Sequence, residues 1–371
     1  MKKTSRLVDM IKNQETALAK KTATAGFDGF IDTIVKIIKS KQVKKSPSLF
    51  KKIKEFGNYI LEKEGTSLSL ELQEQSIKIG GNMPIMSNAL GRLGISVNCV
   101  GSLGYPQAHP VFKNLSPNCH IHSFADPGTS TAFEFNDGKI MVAQMESLNT
   151  IGWDKIKNII GIDELVRIYK ESDLLCLVNW SEIDASSDIW KGLLKDVLPR
   201  YTRTTEKQIV FFDLSDCSKR SSDSVMEALN LLNKFGQYAH VILGLNKNEA
   251  RLIYRTLFNK DKTADLAYLG EKIFGKLEIE TLLLHCSTEA MAFNKETHCS
   301  SKSFFTKNPK ISTGAGDNFN AGFCAAQLLK LDLKSSIIFA NAVAGFYVNE
   351  GMSPKLQEVI QFLEKAEKLK R

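Results

Sequence analysis

The second half of the chain alternates short apolar runs with longer amphipathic stretches, and this rhythm restricts the fold more than any other feature. Leu174 to Val178, Ile209 to Phe212, Val241 to Leu245 and Thr281 to Leu284 read as strands buried on both faces. Helical segments are expected between them, around 184–199, 221–235, 247–257 and 262–276. Strand–helix alternation at this spacing predicts an α/β protein with a doubly wound parallel sheet. The chain has 371 residues, enough for one large α/β domain or two smaller ones, and its 43% hydrophobic and 24% charged residues are those of an ordinary globular protein.

The first half is less regular. Thr22 to Phe27 reads as a first strand, 48–63 as an amphipathic helix, Ser87 to Leu93 as a helix capped by Gly94, and Ile95 to Val100 as a strand. Thr131 to Phe135 and Lys139 to Ala143 flank Asn136-Asp137-Gly138, a strong hairpin signal. This hairpin breaks the alternation, so it is expected in a small β element packed at the sheet edge.

The net charge is +8, and eight lysines fall between Lys36 and Lys54. No arginine interleaves them, so a solvated lysine-rich face is favoured over a nucleic-acid surface. Positive potential would also suit a small polyanionic substrate. No apolar run approaches the ~20 residues of a membrane helix. The first residues lack the apolar segment of a secretory signal. The seven cysteines are scattered without a Cys-x-x-Cys pair, which suits reduced thiols in a cytoplasmic protein rather than a zinc site.

Chemistry concentrates in Ser312-Thr313-Gly314-Ala315-Gly316-Asp317, which opens directly into an apolar helix. Free N–H groups at a helix start attract anions, and glycines let a phosphate approach them. An Asp beside such a site is placed to deprotonate an attacking hydroxyl. The plainer reading of Asp317 is an acid that complements the helix dipole.

Two other motifs are weaker alone. Asn246 and Glu249 follow the third apolar run. Their spacing fits a capping box, the reading favoured for the pair by itself, or an outer-shell Mg2+ site. Gly80-Gly81-Asn82 precedes the helix ending Arg92-Leu93-Gly94. The glycines permit close backbone approach, and Asn82 can donate to and accept from hydroxyls. A plain loop explains this motif equally well.

Taken in order, the Gly-Gly loop, the Asn-x-x-Glu and the Gly-Ala-Gly-Asp loop resemble the ribokinase-like (phosphofructokinase B-type) carbohydrate kinases, from about Ala23 to Ser353. The resemblance implies a single 1–371 domain with a three-layer α/β/α core and a β-rich lid drawn from 33–79 and 119–145. It implies transfer of the ATP γ-phosphoryl group, with Mg2+, to a sugar hydroxyl. By position, Asp317 would be the base and the N–H groups of Gly314, Ala315 and Gly316 the anion hole. Asn246 and Glu249 would order the waters of Mg2+, and Asn341 would lie near the adenine. Gly80, Gly81, Asn82 and an early Asp would bind the sugar; Asp32 is preferred by its offset, with Asp28 open. Exposed lid strands in such folds often pair two subunits.

The sequence departs from the family in three places. Ile311 stands where many members carry an Asp that helps bind an activating monovalent cation. Ile85 stands where ribose kinases carry an Asn. His285-Cys286-Ser287 replaces a glycine-rich turn, and His285 itself reads as a core histidine at a strand end. The long 33–79 segment is similar in length to that of nucleoside kinases, which makes a nucleoside the alternative acceptor. Phe30, Phe50 and Phe56 could then contact a base, although packing suits each of them better. A non-catalytic sugar sensor would be expected to have lost Asp317, which is present.

Overall fold

The computed structural model describes residues 2–203, 206–260, 262, 264–304, 306 and 308–368. Among the described residues, fourteen strands form two sheets. They are β1 (Thr22–Phe27), β2 (Phe30–Ser40), β3 (Ser48–Leu49), β4 (Glu71–Gly80), β5 (Ser96–Gly101), β6 (Cys119–Ser123) and β7 (Gly128–Phe135). The others are β8 (Gly138–Gln144), β9 (Leu174–Leu177), β10 (Gln208–Asp213), β11 (Ala239–Asn246), β12 (Thr281–His285), β13 (Glu289–Asn294) and β14 (His298–Lys302).

The large sheet runs β14-β13-β12-β11-β10-β9-β1-β5-β6. It is parallel from β6 to β12 and ends in an antiparallel β12–β13–β14 edge. All four apolar runs of the second half form central strands, and helices cover both faces, giving the three layers expected. Alternation within each strand divides the core. Ala23, Ala25, Leu174 and Cys176 face the helices Asn82–Arg92, Ala315–Leu328 and Leu333–Glu350. Leu175, Leu177, Val241 and Leu243 face the helices Ile162–Glu171, Ser222–Phe235 and Lys247–Phe258.

The small sheet contains β2, β3, β4, β7 and β8. The 131–143 hairpin therefore belongs to a separate sheet and not to an element at the edge of the large one. Its turn does more than reverse the chain: Asp137 Oδ1 accepts the N–H of Ile53 at 3.0 Å, at the start of the helix Ile53–Leu61. That helix begins later than the 48–63 span expected, because Ser48–Leu49 pairs with β2 first. Phe50, Phe56, Phe133 and Phe135 pack beneath it, and Phe50 and Phe56 rings meet edge-on at 5.3 Å. Phe30 is buried in the large core. All three candidate base contacts are thus packing residues.

Other boundaries also moved. Residues 119–123 pair with β5 in the large sheet, so only the later part of the 119–145 range enters the small one. The helix expected from Ser87 starts at Asn82, with Pro84 in its first turn, where proline is tolerated. The 184–199 helix is three pieces: Ser186–Gly192, a wider π turn over Leu193–Val197, and Leu198–Arg200. The helix Lys2–Ile11, not foreseen, buries Leu7, Val8 and Ile11. No described helix is long and apolar enough to cross a membrane. All seven cysteines are free thiols.

Candidate active site

Parallel strands end together, so residues at or just after their carboxyl ends gather in one crevice, beside the point where chain order reverses around β1. Asp28 follows β1, Asn179 follows β9, Asp213 ends β10, Asn246 ends β11 and His285 ends β12. These five strands are neighbours in that order. The helix Ala315–Leu328 brings Asp317 to the same place in its first turn.

Gly314 caps that helix in the left-handed region, at φ +85°. A Cβ here would also lie 2.8 Å from the Tyr347 hydroxyl, so glycine is required on both counts. The Ala315 N–H donates to the Ser312 carbonyl at 3.2 Å. Among the described residues, no protein acceptor takes the N–H of Gly314 or Gly316.

Carboxylates crowd around Asp317. Burial, followed by the charges of Asp213, Asp28 and Glu249, holds its carboxyl well above the usual range. Its side chain is only half-buried by surface area, because it lies at the cleft; the neighbouring carboxylates sustain the upward direction even with solvent at hand. Burial pushes Asp213 up to about 6, against bonds from Ser215 N–H at 2.7 Å and Asn320 Nδ2 at 2.9 Å. Glu249 rises to about 8 through burial and the Asp213 charge.

Asn246 and Glu249 form a complete capping box. Asn246 Oδ1 accepts from Glu249 N–H at 3.0 Å, and Glu249 Oε2 accepts from Asn246 N–H at 2.8 Å. The plainer sequence reading is therefore correct as geometry, yet the same Glu249 faces Asp213 electrostatically.

The glycine pair explains both early acids. A Cβ on Gly80 would stand 2.5 Å from the Asp32 carboxylate, and one on Gly81 2.5 Å from Asp28 Oδ2. Each Asp thus lies on one glycine. Asp28 is fully buried and both its oxygens are engaged, by Met83 N–H at 2.9 Å and Asn179 Nδ2 at 2.7 Å; burial lifts it to about 7. Asp32 sits on β2 opposite Ser130 and Lys78, accepts from Ser130 Oγ at 2.6 Å on Oδ1, and keeps Oδ2 for another donor. Asn82 is half-buried at the start of its helix, where its N–H lies against Asp28.

A cavity of about 410 Å³ opens beside the Gly316 face of the loop, lined by Asn246, His285, Phe304, Gly316, Phe319 and Asn341. His285 is more than a core residue: its ring packs 4.9 Å from Phe319, and burial lowers it to about 4, so it is a neutral wall of this cavity. Asn341 is held by the Ser303 hydroxyl at 3.4 Å and the Lys302 carbonyl at 3.3 Å. A larger cavity, about 550 Å³, lies at the opposite ends of the strands near Lys21, Arg203 and Lys330. Its charges largely pair with each other, as Arg203 does with Asp173, and it holds none of the candidate residues.

Sequence reasoning missed Asp213, Asn179, Asn320 and Tyr347. An Asp at the end of an apolar run, Phe211-Phe212-Asp213, was the available signal for the first. The other three carry no local signature. Asn179 and Asn320 are buried, and each leaves its Oδ1 without a protein partner.

The family model of prokaryotic ketohexokinases matches residues 2–366. A ketohexokinase of Haloferax volcanii is 27% identical over 348 residues, covering 91% of this chain and 89% of its own length. The crystal structure of a putative ribokinase II from E. coli, in complex with ATP and Mg2+, superposes with a TM-score of 0.63 at 12% identity, covering 93% of this chain and 99% of the other. The nucleoside kinase of Methanocaldococcus jannaschii, an archaeal member of the ribokinase family, gives 0.58 at 16% identity, covering 93% and 98%. At these identities the superpositions establish the fold and leave the acceptor open, whereas the family match spans nearly every residue. The chain belongs to the prokaryotic ketohexokinase family and is a carbohydrate kinase of ribokinase-like fold.

Proposed function

We propose that this kinase transfers the γ-phosphoryl group of ATP to a hydroxyl of a ketohexose. One observation carries the reading: Asp317, raised in basicity, stands in the first turn of a helix whose cap offers the free N–H groups of Gly314 and Gly316. The base takes the proton of the sugar hydroxyl as its oxygen attacks phosphorus. The N–H groups meet the charge on the phosphoryl oxygens, which is most of what phosphoryl transfer asks of a protein. The Ala315 N–H joins them only by sharing its bond to Ser312.

The cavity walled by His285, Phe319 and Asn341 suits the nucleoside part of ATP, and its volume is in the usual range for small-molecule sites. Asp213, Glu249 and Asn246 supply oxygen donors of the kind Mg2+ prefers, and buried like charges at this spot fit a cation. When bound, Mg2+ would neutralise phosphate charge during transfer.

The small sheet serves as the lid. Its Asp32, with one free oxygen, orients the sugar beside Gly80, Gly81 and Asn82, while Asp28 braces that glycine turn from beneath. Ile77, Thr33, Thr131 and Val142 lie in register across the four strands, and Ile77 and Val142 are half-exposed. This row is the surface through which two copies would pair.

The test is a coupled assay with ATP and Mg2+ against ketohexoses, aldoses, ribose and nucleosides. Turnover of a ketohexose with the highest kcat/KM is expected. Turnover of nucleosides alone overturns the assignment.

A further inference from the structure

Tyr347 belongs to the helix Leu333–Glu350 and is 8% exposed. Its hydroxyl donates to the Thr313 carbonyl at 2.8 Å. The Thr313–Gly314 peptide is trans, so its C=O and N–H point in opposite directions. Fixing the carbonyl toward Tyr347 therefore aims the Gly314 N–H away from the helix.

Other ties hold the carbonyls on either side of this peptide: Ser312 accepts from Ala315 N–H at 3.2 Å, and Gly314 from Asn318 N–H at 3.0 Å and Asn318 Nδ2 at 2.9 Å. The loop runs between the 410 Å³ cavity, lined by Ser312 and Gly316, and a second cavity of about 320 Å³ behind it, lined by Ile85, Ile311 and Tyr347. Ser312 and Thr313 are exposed. The nearest backbone tie to the helix is Lys310 N–H to the Val348 carbonyl at 2.9 Å, short of the residues that matter. Among the described residues, no other side chain hydrogen-bonds to 311–313. Burial, and then the charges of Asp317 and Asp32, push the phenol up and keep it protonated, hence a donor.

We infer that Tyr347 is a positioning residue for phosphoryl transfer: its hydroxyl sets the Thr313–Gly314 peptide plane and so directs the Gly314 N–H at the transferred group. This rests on the phosphoryl-transfer reading above.

Tyr347→Phe keeps the ring and removes only the donor. The expected result is a fall in kcat of about 10- to 100-fold, the scale of a small misplacement of a catalytic group. KM for the sugar should stay within about twofold, since the bond acts on the transition state. Hydrogen exchange of peptides covering 311–316 should become faster in the free protein, with the melting temperature little changed. Parent-level kcat in an otherwise active enzyme overturns the inference, as does slowed turnover with unchanged exchange. If the parent phosphorylates no sugar, the functional reading fails, while the exchange measurement still decides whether Tyr347 holds the loop.

Discussion

Asn320 Nδ2 donates to Asp213 Oδ2 at 2.9 Å, linking the helix that carries Asp317 to the end of β10. Both side chains are buried. Asn320 lies three residues after Asp317 on that helix, so the bond fixes the proposed base relative to Asp213, a proposed metal-side carboxylate. Asn320→Ala strips a buried acceptor of its partner, at a cost of about 1–3 kcal/mol. A melting temperature several degrees lower is expected, together with reduced kcat. Unchanged melting and turnover would show that the bond has no structural role.

Asp317→Asn separates chemistry from binding. Loss of the base should lower kcat by about 10²–10⁴-fold. Nucleotide affinity, measured by calorimetry, should be largely kept. The same substitution removes a carboxyl whose ionisation burial and its neighbours disfavour, so the variant should melt no lower than the parent. Turnover at the parent rate would exclude Asp317 as the base.

The loop around Asp317 was legible because its parts are adjacent in sequence: small residues, an acid and an apolar helix. The core strands were legible because burial on both faces leaves unbroken apolar runs. Asn320 and Tyr347 were not, since a single polar residue in an apolar helix announces neither its partner nor its direction. The start of the helix at Asn82 was hidden by Pro84, which looks like a breaker until its position in the first turn is known. The hairpin at Asn136-Asp137-Gly138 was plain, but its sheet was not: β2 pairs with β7 across a long separation that no local pattern encodes.

Burial and mutual repulsion make stability depend on pH in an unusual direction. Asp28, Asp213 and Glu249 rise to about 7, 6 and 8, from ordinary values near 4. Each binds its proton more tightly folded than unfolded, so its contribution is complete at low pH and is lost as pH rises from about 4 to about 8. The melting temperature of the free protein should fall between pH 5.5 and 8. Added MgCl2 should restore it at pH 8 and do little at pH 5.5, because the ion needs ionised ligands. An equal shift at both pH values would argue against Asp213 and Glu249 as the ion's site.

The exposed row of the small sheet makes a prediction about assembly. Ile77→Lys places a charge among Thr33, Thr131 and Val142 without touching the core. Sedimentation equilibrium should show a dimer for the parent and a monomer for the variant. A parent that is monomeric at high concentration would exclude pairing through this face.

The two early acids should respond in opposite ways to truncation. Asp28 is fully buried and receives Met83 N–H and Asn179 Nδ2, so Asp28→Ala leaves two buried donors unpaired, at about 1–3 kcal/mol each. Asp28→Asn should be far milder. Asn179 can rotate its amide so that its now unpartnered Oδ1 accepts from the new side chain, while the new carbonyl takes Met83 N–H. Asp32 has a single protein donor and lies open to the crevice, so Asp32→Ala should melt close to the parent and instead raise KM for the sugar. Thermal melting and steady-state kinetics on the three variants distinguish the roles. If Asp28→Ala melts normally and raises KM alone, the buried acid is the sugar ligand and Asp32 is not.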